Sequence, residues 1–198
     1  MPFLSFSQEH HVGLRIGEPL SITYKTYLNE QFSLEGMIGS AGANSGQYYR
    51  RSFDNNRPFP AAIYVGHSSS NGFSLNLRGA YNEDISAEFD IVEGSLFAYA
   101  GAGLQIRSVR VNYVYTDGIS TTLYVPLNET RTNVDFGPEG YIGSEYFFED
   151  LPLSVFAEVG LFFELLDRPG NLRLQGGLGA RYLFWQDDDQ KVLFRNGI

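Results

Sequence analysis

The sequence predicts an all-β protein, specifically an eight-stranded antiparallel up-and-down transmembrane β-barrel. Three observations predict this fold class. Apolar and polar residues alternate with a period of two in eight segments, the connections between segments are long at one end only, and aromatic residues gather at the other end. The chain has no run of about 18 apolar residues, so the sequence predicts no membrane-spanning helix.

The first half of the chain carries four of these segments. In the first segment, Leu14 and Ile16 alternate with the polar Arg15, and the other three repeat this pattern with Ser, Thr, Asn or Glu in the polar positions. Gly-Glu-Pro and Asn-Glu sequences break the alternation and predict tight turns. The predicted strands are 12–17, 20–28, 32–39 and 73–82, with a long polar loop at 41–71 before the fourth strand.

The second half carries the other four segments. In the fifth, Leu and Ala oppose a face that contains Tyr99, Gln105 and Arg107, whereas the last three set Val, Leu and Ile against Glu, Arg and Gly. Glu-Asp-Leu-Pro and Asp-Arg-Pro-Gly sequences predict the two final turns. The predicted strands are 95–108, 134–148, 153–164 and 172–184, with a second loop at 109–131.

The lengths of the connections give the predicted barrel a direction. If the first strand starts in the periplasm, the turns at 29–30, 86–94 and 149–152 lie on the periplasmic side and are all short. The long loops 41–71 and 109–131 then lie outside the cell, which is the arrangement of outer-membrane barrels. An even strand count also returns both termini to the periplasm.

Aromatic residues cluster at the short-turn ends of the predicted strands. An interfacial girdle of a membrane barrel explains this clustering, whereas a soluble barrel of lipocalin type needs a charged outer face and has no such girdle. The residues assigned to the girdle are Tyr27, Phe32, Tyr81, Phe97, Tyr99, Tyr146, Phe148, Tyr182, Phe184 and Trp185.

The polar faces of the strands carry charges of both signs in equal number. An eight-stranded barrel has an interior just wide enough for side chains to fill, and enclosed charges must be paired. The sequence therefore predicts an ion-pair network that plugs the lumen; a gated ion path and a catalytic carboxylate pair are the alternatives. Its predicted members are Arg15, Lys25, Arg78, Arg107, Arg173 and Arg181 with Glu35, Asp135, Glu139, Glu145, Glu158 and Glu164.

Composition excludes several other classes of function. The formal net charge of −9 argues against a nucleic-acid partner, because phosphate binding needs clustered Lys and Arg. The chain has no Cys, which excludes disulfides, thiolate metal sites and Cys nucleophiles. A His pair can bind a metal, but His10 and His11 have no third ligand in the sequence pattern. A polar N-terminal arm before the first strand is therefore predicted for them, and no metal and no cofactor are expected.

The chain ends fall outside the predicted barrel, which spans residues 8–185. Residues 1–7 are apolar and end in small residues, which predicts the remnant of a secretory signal with Gln8 as the first mature residue; an ordinary apolar arm is the alternative. Residues 186–198 are expected to form a short periplasmic tail.

With the strands placed, the chain resembles the OmpA/OmpX-like small outer-membrane barrels, in particular the poorly characterised outer membrane protein beta-barrel domain proteins. The Gly-Tyr-Ile-Gly-Ser-Glu-Tyr-Phe-Phe-Glu-Asp-Leu-Pro-Leu sequence is the most distinctive match. The matching stretches are 12–17, 22–28, 99–103, 140–153 and 177–184.

The resemblance implies a location in the bacterial outer membrane, contacts with membrane lipid and lipopolysaccharide, and a monomer. It also implies insertion by the barrel-assembly machinery, which reads a terminal strand carrying a Gly and two aromatic residues. Gly179, Tyr182 and Phe184 match this assembly signal. The chain departs from the family because residues 186–198 continue beyond the signal.

One sequence feature favours an enzyme. His67 and Ser69 resemble the His-x-Ser-Asn site of outer-membrane lipid A deacylases, in which a His base activates a Ser nucleophile and a carboxylate orients the His. Glu83 or Asp84 are the candidate carboxylates. Asn71 stands one residue late, and five predicted strands follow a site that the family places near its C-terminus.

The sequence as a whole therefore favours a non-enzymatic barrel with a structural or surface-interaction role through its long loops. A lipid A-modifying hydrolase that uses His67 and Ser69, and a narrow channel for small solutes, remain as alternatives.

Overall fold

The computed structural model describes residues 9–70, 72–118 and 125–185. The predicted signal remnant at 1–7 and the predicted tail at 186–198 lie outside these ranges. Nine strands, one helix and one short 3-10 turn at Ala87–Phe89 make up the described chain. Their bounds are β1 Glu9–Glu18, β2 Leu20–Tyr27, β3 Phe32–Ala41, α1 Gly46–Asn55, β4 Ile63–Ser69, β5 Gly72–Asp84, β6 Ser95–Thr116, β7 Leu127–Phe147, β8 Leu153–Phe163 and β9 Leu172–Trp185.

Eight of the strands close into an antiparallel barrel, which confirms the predicted fold class. The order around the barrel is β1, β2, β3, β5, β6, β7, β8 and β9, and β9 pairs back onto β1. We call the end with connections 28–31, 85–94 and 148–152 the short-turn rim, and the opposite end the long-loop rim. Within the described residues, no helix is long and apolar enough to cross a membrane.

The barrel is polar inside and apolar outside. Leu14 is 65% exposed on the outer face, whereas its neighbour Arg15 is 2% exposed in the lumen. The alternation reverses the usual arrangement of a soluble protein, in which large apolar residues are buried and charges are exposed. The predicted facing is confirmed in the fifth segment also, because Tyr99, Gln105 and Arg107 are buried. We call the outward apolar residues of the eight barrel strands the apolar belt.

The prediction of a loop at 109–131 was wrong. β6 continues to Thr116 and β7 begins at Leu127, so the two strands extend as a pair beyond the apolar belt. The burial pattern of the extension still has a period of two, since Val109, Val111 and Tyr113 are buried. These residues face a packing partner that the sequence pattern did not reveal.

That partner lies within the stretch 41–71, which was predicted as one polar loop and instead contains α1 and β4. Ser45 caps α1 by accepting a hydrogen bond from the backbone N–H of Tyr48 at 3.2 Å. β4 pairs with the β6 extension, from Ile63 opposite Thr116 to Ser69 opposite Val111. The helix packs on this extension through a core formed by Ala41, Tyr48, Tyr49, Phe53, Ala62, Val109, Val111, Tyr113 and Tyr115.

The aromatic residues assigned to the girdle do not all face outward. Tyr27, Phe97 and Tyr99 point into the lumen, because an even step along a strand keeps a side chain on the polar face. Tyr99 is buried, and Phe97 packs on Phe147, whose ring also contacts Tyr27. The outward aromatic residues at the short-turn rim are Phe32, Tyr81, Tyr146, Phe148, Tyr182 and Phe184, whereas the side chain of Trp185 lies outside the described part of the chain.

Candidate functional site

The lumen holds a chain of ion pairs. It starts at Lys25, whose Nζ lies 2.8 Å from Glu145 Oε2. Glu145 also pairs with Arg181, and Arg181 pairs in turn with Glu35. We call the complete set, which consists of Lys25, Glu145, Arg181, Glu35, Arg78, Glu158 and Arg15, the inner ion cluster.

The inner ion cluster joins strands that are not neighbours in the barrel. Arg78 on β5 contacts Glu35 on the adjacent β3, and its Nη1 lies 2.9 Å from Glu158 on β8 across the lumen. Arg15 on β1 reaches the same carboxylate, with Nε 2.7 Å from Glu158 Oε1. The contacts therefore cross the interior rather than following its wall.

Aromatic rings pack against the inner ion cluster. Arg181 stacks 3.6 Å from the ring centroid of Phe156, and Arg78 lies 4.1 Å from that of Tyr141. Gly179, opposite Phe156 in the register, leaves room for this ring: a Cβ on Gly179 would lie 2.4 Å from it. The small residues of the polar face therefore accommodate large neighbours, as stacking of guanidinium on aromatic faces requires.

Gly143 on β7 allows a test of whether a small residue is needed to leave room for a ring in the lumen. A Cβ on Gly143 would lie 2.5 Å from the ring of Tyr99, which donates to Glu158 at 3.2 Å. We expect Gly143→Val to destabilise the barrel by about 1–3 kcal/mol, because it overpacks a filled interior. The measurement is the urea midpoint of the detergent-folded protein. Gly36→Ala is the control, since nothing lies within 4 Å of that position, and equal midpoints for the two variants would contradict the interpretation.

Neutral amides separate the inner ion cluster from the charges nearer the long-loop rim. Gln175 donates to Gln105 at 2.7 Å, and Gln105 donates to Ser74 at 3.1 Å. Asn76 then donates to Glu139 at 2.8 Å. Glu139 was predicted to join an arginine pair, yet its hydrogen-bond partner in the described chain is this amide.

The charges at the long-loop rim are arranged around Arg107, which is 0% exposed. Arg107 lies 3.3 Å from Glu18 and 3.6 Å from Asp135, and Arg173 lies 2.8 Å from the same Glu18. Glu18 was missed in the sequence, where it was assigned to a turn. Its position beside the turn, at the end of β1, is what allows it to reach over the lumen.

The prediction that Glu164 pairs with an arginine side chain was wrong. Glu164 instead accepts hydrogen bonds from the Tyr48 hydroxyl at 2.7 Å and from the backbone N–H of Arg168 at 2.7 Å. The reason is α1, which inserts Tyr48 into the barrel mouth. Asp135 and Asp167 also lie within hydrogen-bond distance of this hydroxyl, at 3.2 Å and 3.0 Å.

The single hydroxyl proton of Tyr48 cannot be donated to all three surrounding carboxyl groups at once. A phenol hydroxyl donates one hydrogen bond, whereas an ionised carboxylate only accepts. Burial raises the pKa of the Glu164 carboxyl, and the nearby carboxylates raise it further. Burial also holds the pKa of the Tyr48 hydroxyl well above its usual range. The other groups that face Tyr48 and the three carboxyls are Arg168, Arg107, Asn44, Asn133 and Asn171.

Docking of α1 is therefore expected to weaken as the pH rises. A raised pKa in the folded state means that the stabilisation is fully present below the ordinary carboxyl value and is lost as the pH rises through the raised value of Glu164. Hydrogen exchange of the α1 amides, corrected for the intrinsic pH dependence, measures this. The neutral variant Glu164→Gln should flatten the profile, and a wild-type profile that is already flat would refute the prediction.

The geometry does not support a catalytic triad at His67. The described chain contains no hydrogen bond between His67 and Ser69; His67 Nδ1 lies 2.5 Å from the Tyr64 hydroxyl, and burial lowers the pKa of its ring. The candidate acids lie at the far end of the sheet, because Asp84 pairs opposite Phe97 whereas Ser69 pairs opposite Val111. Glu83 and Asp84 accept from Tyr81 and Ser86 there. Asn71 lies outside the described residues.

The residues of the predicted assembly signal lie on β9. Tyr182 and Phe184 are exposed on the outer face, and Gly179 faces the lumen beneath Phe156. His11 closes the lumen at the same end, packing on Tyr27 and Phe147 with ring centroids 5.5 Å and 5.8 Å away. The prediction that His10 and His11 lie on a polar arm before the first strand was wrong, since both belong to β1, and no sequence signal identified the lumen-facing role of His11.

Comparison with known proteins places the fold. No protein-family model and no curated protein sequence matches the chain. The N-terminal β-barrel domain of Pseudomonas aeruginosa OprF is 13% identical, covering 90% of this chain and 97% of that one with a TM-score of 0.50. Ail of Yersinia pestis, solved with the heparin analogue sucrose octasulfate, is 11% identical over 90% and 96% of the two chains, with a TM-score of 0.40. The chain therefore has the fold of the small, eight-stranded OmpA-like outer-membrane barrels.

Proposed function

We propose that the chain is a non-enzymatic protein of the bacterial outer membrane, whose lumen is closed by paired charges and whose long-loop rim meets surface partners. The observation that carries the proposal is the inverted polarity of the barrel. Leu14 and Ile142 are more than half exposed, while Arg107 and Glu35 are buried. Hydrocarbon surroundings explain this pattern, whereas a soluble lipocalin-type barrel needs charges on its outer face.

The closed lumen is supported by the inner ion cluster and by what covers it. An eight-stranded barrel has little interior space beyond its side chains. Lys25, Arg78 and Arg181 reach carboxylates on other strands and fill the cross-section. At one end the rings of His11 and Tyr27 cover the charges, and at the other end Tyr48 of α1 occupies the mouth. A structural plug explains these contacts without an ion path.

We propose the orientation in which the long-loop rim faces the outside of the cell. The short-turn connections contain acidic residues and no Lys or Arg, as the sequence of 28–31, 85–94 and 148–152 shows. The connection 42–62 at the opposite rim contains Arg50, Arg51 and Arg57. The positive charge of arginines at the long-loop rim complements a leaflet of phosphorylated lipid. Short turns are typical of the periplasmic side of an outer-membrane barrel.

The proposal includes three partners and one oligomeric state. The apolar belt contacts outer-membrane lipid, and the long-loop rim contacts lipopolysaccharide. The assembly machinery recognises β9 through Gly179, Tyr182 and Phe184. The barrel is a monomer, which light scattering of the detergent-solubilised protein would measure.

The test combines membrane fractionation with gel migration before and after boiling. A folded barrel should sediment with the outer membrane, and its migration should change on boiling. In planar bilayers a plugged lumen should give almost no conductance, whereas a small-solute channel should give regular single-channel steps. A protein that stays in the supernatant without detergent would refute the membrane location. An unchanged lipid A mass on expression is expected, and a changed mass that His67→Ala and Ser69→Ala abolish would favour the hydrolase.

A further inference from the structure

The outer face carries a polar notch at the edge of the apolar belt nearer the long-loop rim. Phe73 is 48% exposed, and its register partners are Ser40 on β3 and Ser108 on β6. Further along the barrel Ser108 pairs with Val134, so hydroxyl-bearing residues interrupt the last apolar row on both sides of Phe73. The notch is a cavity of about 420 Å³ lined by Ser40, Ser70, Phe73, Ser108, Arg110 and Thr132, with Gly39 and Gly72 behind them.

Arg110 is the charged residue of the notch. It is exposed in the first row beyond the belt, opposite Thr132 on β7, and the backbone N–H of Ser70 bonds to its carbonyl. Its guanidinium forms no ion pair with any part of the chain that the structure describes, in contrast to the paired Arg57 and Arg131. A guanidinium that has no ion pair among the described residues and that lies beside hydroxyl groups presents donors that suit a phosphate, which it can hold bidentately.

The position of the notch determines the kind of molecule that reaches it. Below Arg110, the outer face continues with Phe73, Leu75 and Leu77, which are all exposed and apolar. A ligand that fills the notch therefore meets an anion site at its upper end and an apolar surface at its lower end. A membrane lipid has this division, with a charged headgroup above its acyl chains, whereas a free anion uses the upper part alone.

We propose that the notch binds a lipid whose headgroup carries a phosphate monoester, with Arg110 and the surrounding hydroxyls on the phosphate and the acyl chains along Phe73. This inference rests on the proposed membrane location and specifies a lipid contact of the long-loop rim. The site is separate from the lumen and from α1, since its lining side chains lie on the outer face of β3, β5, β6 and β7, with Ser70 directly after the end of β4.

The experiment uses the full chain folded into phosphatidylcholine nanodiscs that contain lipid A, with retained lipid A counted by native mass spectrometry. A matched set contains lipid A from which the phosphates have been removed. Wild type should retain the phosphorylated form preferentially. Arg110→Gln should weaken this retention by about tenfold, the effect of losing a charged hydrogen-bonding partner, and should leave retention of the dephosphorylated form unchanged.

Two further variants separate the notch from general attraction. Arg51→Gln removes an exposed arginine from α1 and should change retention by less than about twofold, because diffuse surface charge contributes little at physiological salt. Ser108→Leu keeps Arg110 and fills the notch, so it should reduce retention also.

Three results would overturn the inference: equal retention by Arg110→Gln and wild type, an equal loss with Arg51→Gln, or displacement of lipid A by inorganic phosphate at the same concentration. The first two exclude the notch, and the third identifies a free anion as the ligand. Gel migration before and after boiling is recorded for every sample. Wild type that lacks the folded-barrel shift contradicts the membrane barrel itself, whereas failure of binding in a shifted sample contradicts only the notch.

Discussion

Glu145→Ala should cause the largest loss of barrel stability, about 3–5 kcal/mol, because it leaves the buried Lys25 without its ion-pair partner and Arg181 with Glu35 alone. Glu145 accepts from Lys25 Nζ at 2.8 Å and from Ser154 Oγ at 2.5 Å, and it pairs with Arg181. Without it, Lys25 retains a hydrogen bond of 3.4 Å to Asn82 as its remaining described contact with an oxygen. The loss is measured as the shift in the urea midpoint of unfolding of the detergent-folded protein. Migration on a gel distinguishes the folded from the unfolded protein at each urea concentration.

Glu88→Gln is the matched control for this variant, since it removes an acid from the exposed short-turn rim. Its midpoint should remain at that of wild type, because isolated surface charges contribute little. A double variant, Lys25→Met with Glu145→Leu, should recover part of the loss, since an apolar replacement of a buried pair avoids leaving one charge alone. A Glu145→Ala midpoint equal to that of Glu88→Gln would show that the inner ion cluster does not stabilise the barrel.

Phe53→Ala should release α1 from the barrel while leaving the barrel closed. Phe53 is fully buried, and its ring centroid lies 5.5 Å from those of both Tyr113 and Tyr115. Truncation of a buried Phe costs about 3–5 kcal/mol, which is large against the few contacts that hold a ten-residue helix. Trypsin should then cleave at Arg50 and Arg51, which are exposed on α1 but protected by its helical backbone in wild type.

Gln47→Ala is the control on the same helix, because Gln47 is exposed. It should leave the cleavage rate unchanged. Phe53→Ala should keep the gel shift of a folded barrel, since the eight barrel strands close without α1. Loss of that shift would mean that α1 is part of the cooperative core rather than a separate cover, and resistance to trypsin would mean that Phe53 does not hold the helix.

The barrel could be predicted because the alternation of side chains along a strand shows which residues share a face, whether that face meets water or lipid. Alternation of Leu14 with Arg15 indicates two unlike faces, and only the environment of each face changes between a soluble protein and a membrane protein. The sequence could also indicate that the charges on one face must be paired, from the narrow interior alone. It could not indicate which pairs form, since Arg78 meets Glu158 across the lumen through the curvature of the whole barrel.

The covering helix could not be predicted from the sequence pattern. α1 has ten residues, and the three aromatic residues at its buried positions lie among arginines and other polar residues. This composition is also typical of a polar loop. Its packing surface, from Val109 to Tyr115, lies far away in the sequence and looked like a second loop. The same omission explains the error at Glu164, because a partner from α1 replaced the expected arginine.

The separation in sequence between α1 and its packing surface sets an order of events in folding. Tyr49 and Phe53 belong to the first half of the chain, whereas Val111, Tyr113 and Tyr115 come after β5 and most of β6. A short helix is marginal alone and gains its stability from the surface that it covers. We therefore expect the segment 42–62 to stay unfolded until β6 and β7 have paired. Ordering of α1 is then expected as the last step, and its rate should report the completion of the barrel rather than limit it.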